Sequence, residues 1–551
     1  MKYLRRDLLI EILLVTLVIG GFFVLAVQKI AFYPVPWKDE PWLMQPAFEV
    51  LKTGQMSMPM FRHFGNELGE RIFTDPVFTY LLAGWFKCFG FGMLQARLFN
   101  LTLSIGVLLL TYLIGRLWGG RVAGTIAITF LICDNNYFTG SRFLRNDFAS
   151  IFFALAAAIS YLKAKHLLSQ NNKLGRVWLV ASGLLAPMSA LSHLNGLYII
   201  VLLAIWLFID YGWRMLIKLE AWIVAISINI ITLPYVAYCW MNKEVYTAQW
   251  NTFSKGRTQG MTSSGLWINI IAEPKRYLAW DDGAMFMTTN YAVMFFKAFT
   301  IIALIYLLFS IIKQVLEKKP LATSPYIFSF TAILWTVVFF ASQVSNKTHS
   351  YLPHLTTWFA LAIGIMGADL FWKLTSWTPE LNKYLLKDTK KITPDKKRLA
   401  SRAILAVITL IGFIYLSCVI VLVYKYQRYL LTIEPTKYNQ LVSDLYRTVT
   451  PDLVPIGIPN YWHLFAIKNR DDYRAFSRRL TKQVLKGEFP LEQYAFICDK
   501  RQQRKLFALV KELGTDTKRQ IHQIAEFPDT PYGKICVYYI GTDSKYFSRQ
   551  N

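Results

Sequence analysis

Long uncharged hydrophobic runs alternate with short charged segments along most of this chain. About 20 predominantly apolar residues are needed to cross a bilayer as a helix. The pattern therefore predicts a polytopic α-helical membrane protein with about eleven spans, at 8–31, 97–117, 122–139, 148–165, 177–192, 196–211, 216–240, 290–313, 325–342, 352–372 and 403–425. The first run is longer than the apolar core of a signal peptide and no small-residue cleavage site follows it, so we expect it to be retained.

Basic residues in the loops predict how the chain is threaded through the membrane. The stretch 373–402 holds nine basic and three acidic residues, and clusters of this kind stay on the cytoplasmic side. All loops obey that rule only if 76–94, with Lys87 in its middle, lies in the interface instead of crossing. We therefore expect an inner (plasma) membrane protein with a cytoplasmic amino terminus, an outer first loop (32–96) and residues 426–551 outside.

Residues 426–551 have a different pattern from the preceding part of the chain. Short apolar runs at 453–458, 494–498 and 534–540 alternate with polar, helix-like stretches at 471–486 and 501–513. Strands that alternate with helices predict a small α/β domain. The sequence thus predicts a membrane domain at 1–425 and an extracytoplasmic α/β domain at 426–551.

Composition excludes some classes of function. The formal net charge of +26 is explained by loop and tail residues near anionic lipid, so we do not expect a nucleic-acid partner. No zinc-type spacing, P-loop, dinucleotide glycine pattern or Gly-x-Ser-x-Gly elbow is present. A membrane-borne donor fits this absence better than a nucleotide does. No cofactor or metal site is predicted with certainty, and a divalent cation remains open.

The cysteines give little information about the redox compartment. Their spacing is not that of a metal site. Two of them lie in predicted strands of the tail, and a disulfide is open if those strands are neighbours on an oxidising side. The six positions are Cys88, Cys133, Cys239, Cys418, Cys498 and Cys536.

An acidic pair, Asp39 and Glu40, follows the first span. Carboxylates at the mouth of a membrane are costly to desolvate, so they usually have a partner or a task. One of them can act as a general base that takes a proton from an acceptor hydroxyl. Alternatively, both stabilise the start of a helix at 41–52, and the two interpretations are compatible.

Two arginines, Arg142 and Arg145, lie at the outer end of the third span, against the positive-inside trend. Guanidinium groups bind phosphate bidentately and stabilise a phosphate leaving group. Contacts with lipid headgroups are the alternative. Asp147, which follows them, either belongs to this cluster or, like Asn146, caps the fourth span.

Further candidates lie at the outer ends of other spans. Lys347 and His349 can contact a phosphate, although anchoring of lysine and tyrosine at the interface is by itself the simpler explanation of this segment. Tyr351 is placed to shape the entry into the tenth span. His193 is either a donor-site residue or a hydrogen-bonded residue at the membrane edge. Asp75, before Pro76, is either a second active-site acid or a turn residue.

Together these segments resemble the GT-C fold, lipid-dependent glycosyltransferases of family 39. That group includes the protein O-mannosyltransferases and the bacterial lipid A aminoarabinose transferase. The resemblance covers about 1–425 and rests on Asp39-Glu40, Asp75-Pro76 with Tyr80, Arg97, the segment 142–147, and Lys347 with Tyr351 and Pro353.

The resemblance implies an inverting transfer of a sugar from a polyprenyl-phosphate carrier to a lipid, glycan or protein acceptor. Asp39 would be the base, and Asp147 would orient the phosphate-binding cluster. The residues on the donor phosphate would be Arg142, Arg145 and Lys347.

The sequence departs from the family pattern in two places. Asp75-Pro76 lacks the lysine of the acid-Lys-Pro tripeptide of the aminoarabinose enzymes, so their donor contacts are not carried over. The loop 241–289 is too short for the β-trefoil domain of the protein mannosyltransferases, which makes protein the less favoured acceptor. A transporter of a lipid or polyprenol-linked substrate and a non-catalytic glycan-binding scaffold remain alternatives.

Overall fold

The computed structural model of the protein describes residues 2–37, 39–64, 69–254, 263–274, 291–344, 351–385, 417, 421, 423–467, 470, 472–486, 493–513 and 520–541. In the amino-terminal two thirds of the chain these residues form helices α1 (Lys2–Val27), α2 (Asp39–Thr53), α3 (Pro76–Phe89), α4 (Met93–Ile132), α5 (Asn135–Ser141), α6 (Asn146–Ser169), α7 (Leu174–Ser192), α8 (Tyr198–Tyr211), α9 (Leu219–Met241), α10 (Lys243–Ser254), α11 (Ser263–Ala272), α12 (Tyr291–Leu316), α13 (Pro325–Gln343) and α14 (Pro353–Leu385).

Within the described ranges, nine helices are long and apolar enough to cross a membrane. They include every predicted span except 403–425, which lies largely outside the described residues. The predicted interfacial segment 76–94 contains α3, a helix of 14 residues. At 1.5 Å per residue, α3 is shorter than the roughly 30 Å hydrocarbon core, so it cannot cross alone.

Helix α4 contains two of the predicted spans because it bends back on itself. Gly120 has a φ of 78°, which favours glycine, and neither it nor Gly119 is helical. A Cβ atom on Gly115 would lie 2.8 Å from the Cα of Gly124. The two halves of α4 therefore pack closely as a hairpin, as expected for spans 97–117 and 122–139.

The second half of this hairpin ends earlier than predicted, at Ile132 instead of residue 139. Asp134 starts the separate helix α5, where its carboxylate accepts a hydrogen bond from the backbone N–H of Tyr137 at 3.0 Å. A side-chain cap of this kind satisfies a donor at the helix start that the helix itself leaves unpaired.

The region after residue 434 carries helices α15 (Pro435–Thr448), α16 (Trp462–Ala466), α17 (Arg478–Leu485) and α18 (Lys500–Leu513). They accompany a five-stranded sheet of order β2-β1-β3-β5-β4. Its strands are β1 (Leu453–Gly457), β2 (Arg474–Ala475), β3 (Gln493–Asp499), β4 (Gln520–Phe527) and β5 (Ile535–Gly541). Strand β1 is parallel to β2 and β3, and β5 is antiparallel to β3 and β4.

The sheet confirms the predicted α/β character of the tail, with two corrections. Strands β2 and β4 were not expected, and the stretch 471–486 contains β2 before its helix begins at Arg478. Cys498 and Cys536 face each other directly across β3 and β5. The structure has both as free, buried thiols.

The sheet-bearing region packs against the segments that connect the first two spans. The ring of Trp462 lies 6.0 Å from Phe48 of α2, in a shared hydrophobic core. The Nζ atom of Lys29 donates to the carbonyl oxygens of Leu430 and Ile433, each at 2.6 Å. Segments more than 400 positions apart in the sequence are therefore joined beside the acidic pair.

Candidate active site

Glu40 forms a buried, bidentate ion pair with Arg97 of α4. The Nε atom of Arg97 donates to Oε1 at 2.8 Å and Nη2 donates to Oε2 at 2.7 Å. The same carboxylate accepts backbone N–H bonds from Trp37 at 3.0 Å and Leu144 at 2.9 Å. Because four donors surround its two oxygens, Glu40 fixes the local structure and is poorly placed to accept a further proton.

Asn100, one helical turn after Arg97, holds the loop that carries the two arginines. Its Nδ2 donates to the carbonyl oxygens of Gly140 and Ser141, each at 3.1 Å. Its Oδ1 accepts the backbone N–H of Arg145 at 3.3 Å. Residues three apart on a helix share a face, so one side of α4 positions both the acidic pair and this loop.

Asp147, near the start of α6, is the centre of a buried charge cluster. Its Oδ2 atom accepts from Nε of Arg145 at 2.8 Å and also pairs with Nη2 of that side chain. Its Oδ1 atom lies 3.1 Å from Nε2 of His354 and 4.0 Å from Nε2 of His193. Asp147 therefore contacts Arg145 and lies beside two histidines, and neither it nor Asn146 caps α6, whose cap residue is Arg145.

The protonation of His193 follows from its other ring nitrogen. His193 ends α7, and its Nδ1 accepts the backbone N–H of Asn195 at 3.0 Å. An imidazole nitrogen that accepts a hydrogen bond carries no proton, so the proton lies on Nε2 and faces Asp147.

Arg145 lies between the rings of Trp37 and Tyr351, with its guanidinium carbon 5.4 Å and 5.8 Å from the two centroids. Burial opposes its charge, but the neighbouring carboxylates of Asp147 and Asp39 outweigh that effect and raise the pKa of the guanidinium. Asp39, the first residue of α2, is only partly buried. The structure thus brings Asp39, Arg145, Asp147, His193 and Tyr351 together.

Arg142 contacts a different set of residues from Arg145. Its Nη2 donates to the carbonyl oxygens of Gln28 and Tyr33, each at 2.8 Å. Its guanidinium carbon lies 5.5 Å from the ring of Tyr33 and 4.9 Å from that of Tyr426. Burial and the neighbouring charge of Arg97 lower its pKa, although the group stays charged at neutral pH.

Asp75 approaches the cluster through a neighbouring side chain. Its Oδ2 accepts from Nδ2 of Asn146 at 2.9 Å. Its backbone is left-handed, with φ 55° and ψ 44°, and its side chain does not cap α3. Non-glycine residues adopt this conformation at a cost that is typical of functional sites.

Sequence reasoning missed His354 and the partnership of Glu40 with Arg97. The signal for His354 was weak, because a histidine after Pro353 at a helix start has no distinctive spacing. Lys347 and His349 lie outside the described residues. Among the described residues, no group of three or more His, Cys, Asp and Glu side chains is arranged to hold a metal ion.

Known proteins resemble this chain in part of its sequence and in its fold. The family model for dolichyl-phosphate-mannose-protein mannosyltransferases matches residues 49–246. No curated protein sequence matches the chain.

Several solved structures match this chain over most of their length, among them ArnT and AglB. ArnT from Cupriavidus metallidurans, bound to undecaprenyl phosphate, is 13% identical, with a TM-score of 0.55 over 95% of this chain and 97% of that one. The oligosaccharyltransferase AglB from Archaeoglobus fulgidus, in complex with an inhibitory peptide and a dolichol-phosphate, is also 13% identical. It has a TM-score of 0.54 over 90% of this chain and 70% of that one. This chain therefore has the fold that ArnT and AglB share, the GT-C membrane fold that its sequence resembles.

Proposed function

We propose that the protein is a membrane glycosyltransferase that moves one sugar from a polyprenyl-phosphate carrier to an acceptor on the outer membrane face. The observation that carries this proposal is that partly buried Asp39 lies in the chain between Trp37, whose ring centroid is 5.4 Å from the guanidinium carbon of Arg145, and Glu40, which accepts the backbone N–H of Leu144 at 2.9 Å. Such a site offers a base and a phosphate-binding cation to the same small volume. The matches to a mannosyltransferase family and an oligosaccharyltransferase favour sugar transfer over the transport alternative.

In the proposed reaction, Asp39 takes the proton of an acceptor hydroxyl while the acceptor oxygen forms a bond to the anomeric carbon. The bond between that carbon and the phosphate oxygen breaks, and its electron pair leaves with the polyprenyl phosphate. Attack from the face opposite the leaving group inverts the anomeric carbon. The products are a glycosylated acceptor and the free carrier.

Arg145 stabilises the negative charge that develops on the leaving phosphate. Asp147 holds its guanidinium through Nε and Nη2, and His354 anchors Asp147 in turn. A guanidinium that is already oriented needs no reorganisation when charge appears. Asp147 and His354 therefore act as positioning residues in this proposal.

Glu40 and Arg142 have structural roles in this proposal. The carboxylate oxygens of Glu40 accept hydrogen bonds that hold the start of α2 and the loop that carries the two arginines. Arg142 joins the end of α1 to the aromatic ring of Tyr426. We place the acidic pair, and the sheet of the tail, outside the cytoplasm of a bacterial-type inner membrane because loop charges favour that orientation.

The experiment that tests the function compares cells with and without the gene by mass spectrometry of their lipids and surface glycans. Loss of one sugar residue from an envelope component, together with accumulation of its polyprenyl-phosphate-linked form, is the expected result. Restoration by the parent gene and not by the Asp39→Asn variant assigns the change to this site. Identical lipid and glycan profiles in all strains would contradict the proposal.

A further inference from the structure

Cys498 and Cys536 form a directly opposed pair in the sheet of the tail. They are register partners on the antiparallel strands β3 and β5. The Cα atoms of such partners lie about 4.5 or 5.5 Å apart, depending on the kind of pair. Both spacings fall within the roughly 4.4–6.8 Å range of disulfide bonds. The backbone therefore allows a bond between the two sulfur atoms without a change of register.

Both cysteine side chains lie on the same face of the sheet. They are 1% and 2% exposed and share a hydrophobic core with Phe496. The alternate residues Ile497 and Val537 belong to the other core, which includes Phe48 of α2. Opposed side chains have Cβ atoms about 4.5–5.5 Å apart, and a disulfide needs about 3.5–4.5 Å. An approach of about 1 Å between the strands is therefore enough to form the bond.

A metal site explains this pair less well. The next residue in the row is Glu526 of β4, whose Oε2 atom is 3.9 Å from Sγ of Cys536. Structural zinc sites use four ligands, usually cysteine and histidine. Among the described residues, no group of three or more His, Cys, Asp and Glu side chains is arranged to hold a metal ion.

Packing as small apolar residues would explain each cysteine separately, since free cysteine is often buried. The compartment decides between packing and oxidation. Loop charges favour an outer position for the tail. Disulfides form and persist in oxidising compartments of this kind. Two thiols opposed on one face of a sheet are then well placed for oxidation.

We propose that Cys498 and Cys536 are a disulfide-forming site, and that a thiol oxidoreductase of the outer compartment oxidises them to a cross-strand bond. This inference rests on the outer position of the tail and is independent of the proposed sugar transfer.

The oxidation is a pair of thiol–disulfide exchanges. The thiolate of one cysteine attacks the disulfide of the oxidoreductase, which forms a mixed disulfide and releases one thiolate of that enzyme. The thiolate of the second cysteine then attacks the sulfur of the first and releases the other thiolate of the enzyme. The two cysteines lose two electrons and two protons, and the disulfide of the oxidoreductase is reduced to two thiols.

The exchange should take place before the sheet is complete. Burial raises the pKa of the Cys498 thiol, and a protonated thiol is a poor nucleophile. The folded core also leaves little room for an enzyme to reach either sulfur. Oxidation therefore belongs to the folding of the tail, and once formed the bond is shielded from exchange.

The bond would join the two halves of the sheet. Strand β3 pairs with β1 in the parallel half, and β5 pairs with β4 in the antiparallel half. The opposite face of β3 and β5 contributes to the core that includes α2, the helix that begins at Asp39. A bond between β3 and β5 therefore stabilises the part of the tail against which the proposed catalytic segment packs.

The test counts free thiols in the full-length protein. Cells that make the protein are quenched with acid, and the denatured chain is treated with a maleimide-linked polyethylene glycol, with or without prior reduction. The chain has six cysteines, so we expect about four labels without reduction and about six after it. Cys498→Ser should take up about five labels in both conditions, because its former partner is left as a free thiol.

Cys88→Ser is the matched control, since Cys88 is an exposed thiol on α3. Reduction should still add about two labels to this variant. Six labels on the parent without reduction would overturn the inference. A gain of two labels on reduction of Cys498→Ser would overturn it as well, because the bond would then join other cysteines.

The stabilising effect of the bond has its own measurement. Removal of a disulfide typically costs about 2–5 kcal/mol. Tris(2-carboxyethyl)phosphine should therefore lower the thermal unfolding temperature of the parent by about 5 °C or more. The unfolding temperature of Cys498→Ser should not respond to the reductant. Equal responses of the two proteins would contradict a stabilising bond at this site.

Discussion

Adjacent carboxylates, Asp39 and Glu40, have different environments and should have different tasks. Asp39→Asn keeps the size of the side chain and its ability to stabilise a helix start. We expect the variant to fold and insert normally but to transfer sugar about 10²-fold more slowly, the usual scale for loss of a general base. The measurement is single-turnover product formation by purified protein, and parent-like turnover would reject Asp39 as the base.

The Glu40→Gln variant should show the opposite behaviour. An amide in place of the carboxylate leaves Arg97 buried without a counter-charge, and breaking a buried pair costs about 3–5 kcal/mol. Thermal unfolding in detergent should therefore occur at a clearly lower temperature than for the parent. Asp39→Asn, which also replaces a carboxylate by an amide, is the control at the adjacent position. Equal unfolding temperatures for the two variants would show that the Glu40–Arg97 pair contributes little to stability.

The two arginines should respond differently to replacement by lysine. Lysine is a point charge and cannot reproduce the bidentate guanidinium fork. Arg145→Lys should lower the transfer rate at saturating polyprenyl-phosphate sugar by about tenfold or more, since it removes leaving-group stabilisation. Arg142→Lys should lower the stability of the protein, but the molecules that remain folded should transfer sugar at the parent's rate. If Arg142→Lys lowered the transfer rate and Arg145→Lys did not, the phosphate-binding role would have to be assigned to Arg142.

Sequence patterns could identify these residues as a group but could not assign their roles. Asp39 and Glu40 look equivalent in the sequence. They differ because Glu40 meets Arg97, 57 positions later in the chain. The same holds for Arg142 and Arg145, which diverge because only Arg145 has Asp147 within reach. Such pairings depend on how helices pack, and hydropathy carries no information about that.

At the scale of elements, span length and charge predicted the helices well because both signals are local. The hairpin in α4 was predicted as two spans, because Gly119-Gly120 and the flanking arginines interrupt the apolar run. Strand β2 was missed because it has only two residues, too few for a periodic pattern. Its pairing with β1 comes from the sheet and not from its own sequence.

Helix α16 carries a histidine whose protonation should affect stability. His463 is buried, and its Nε2 lies 2.6 Å from the Tyr438 hydroxyl. Burial, with a contribution from the charge of Arg97, lowers the pKa of His463 to about 3. Its unfolded pKa is about 6.5. Between these values the unfolded chain binds the extra proton, so stability should fall as the pH drops below about 6.5.

The His463→Gln variant tests this pH dependence, because glutamine can still accept from the tyrosine hydroxyl but does not titrate. We expect its unfolding temperature to fall less than that of the parent between pH 7 and pH 5. His166→Gln, an exposed histidine in α6, is the control and should follow the parent. Parallel curves for all three proteins would contradict the assigned role of His463.

At the scale of the whole molecule, the arrangement of the spans determines which compartment the site faces. We expect Lys52→Cys and Arg504→Cys, both at exposed positions, to react with an impermeant thiol reagent added from outside. Lys390→Cys, in the basic stretch 373–402, should react only after the membrane is opened. The measurement uses a background without the native cysteines. Labelling at position 390 from outside would reverse the orientation.

The bonds from Lys29 to the carbonyl oxygens of Leu430 and Ile433 have a consequence for how the protein is made. The residues that they join are separated by 401 and 404 positions. At about 5–20 residues per second, a ribosome needs roughly 20–80 s to produce that interval. During this time the end of the first span lacks the partners that the tail supplies. The segment that carries the proposed base Asp39 therefore lacks these contacts until the tail has been synthesised.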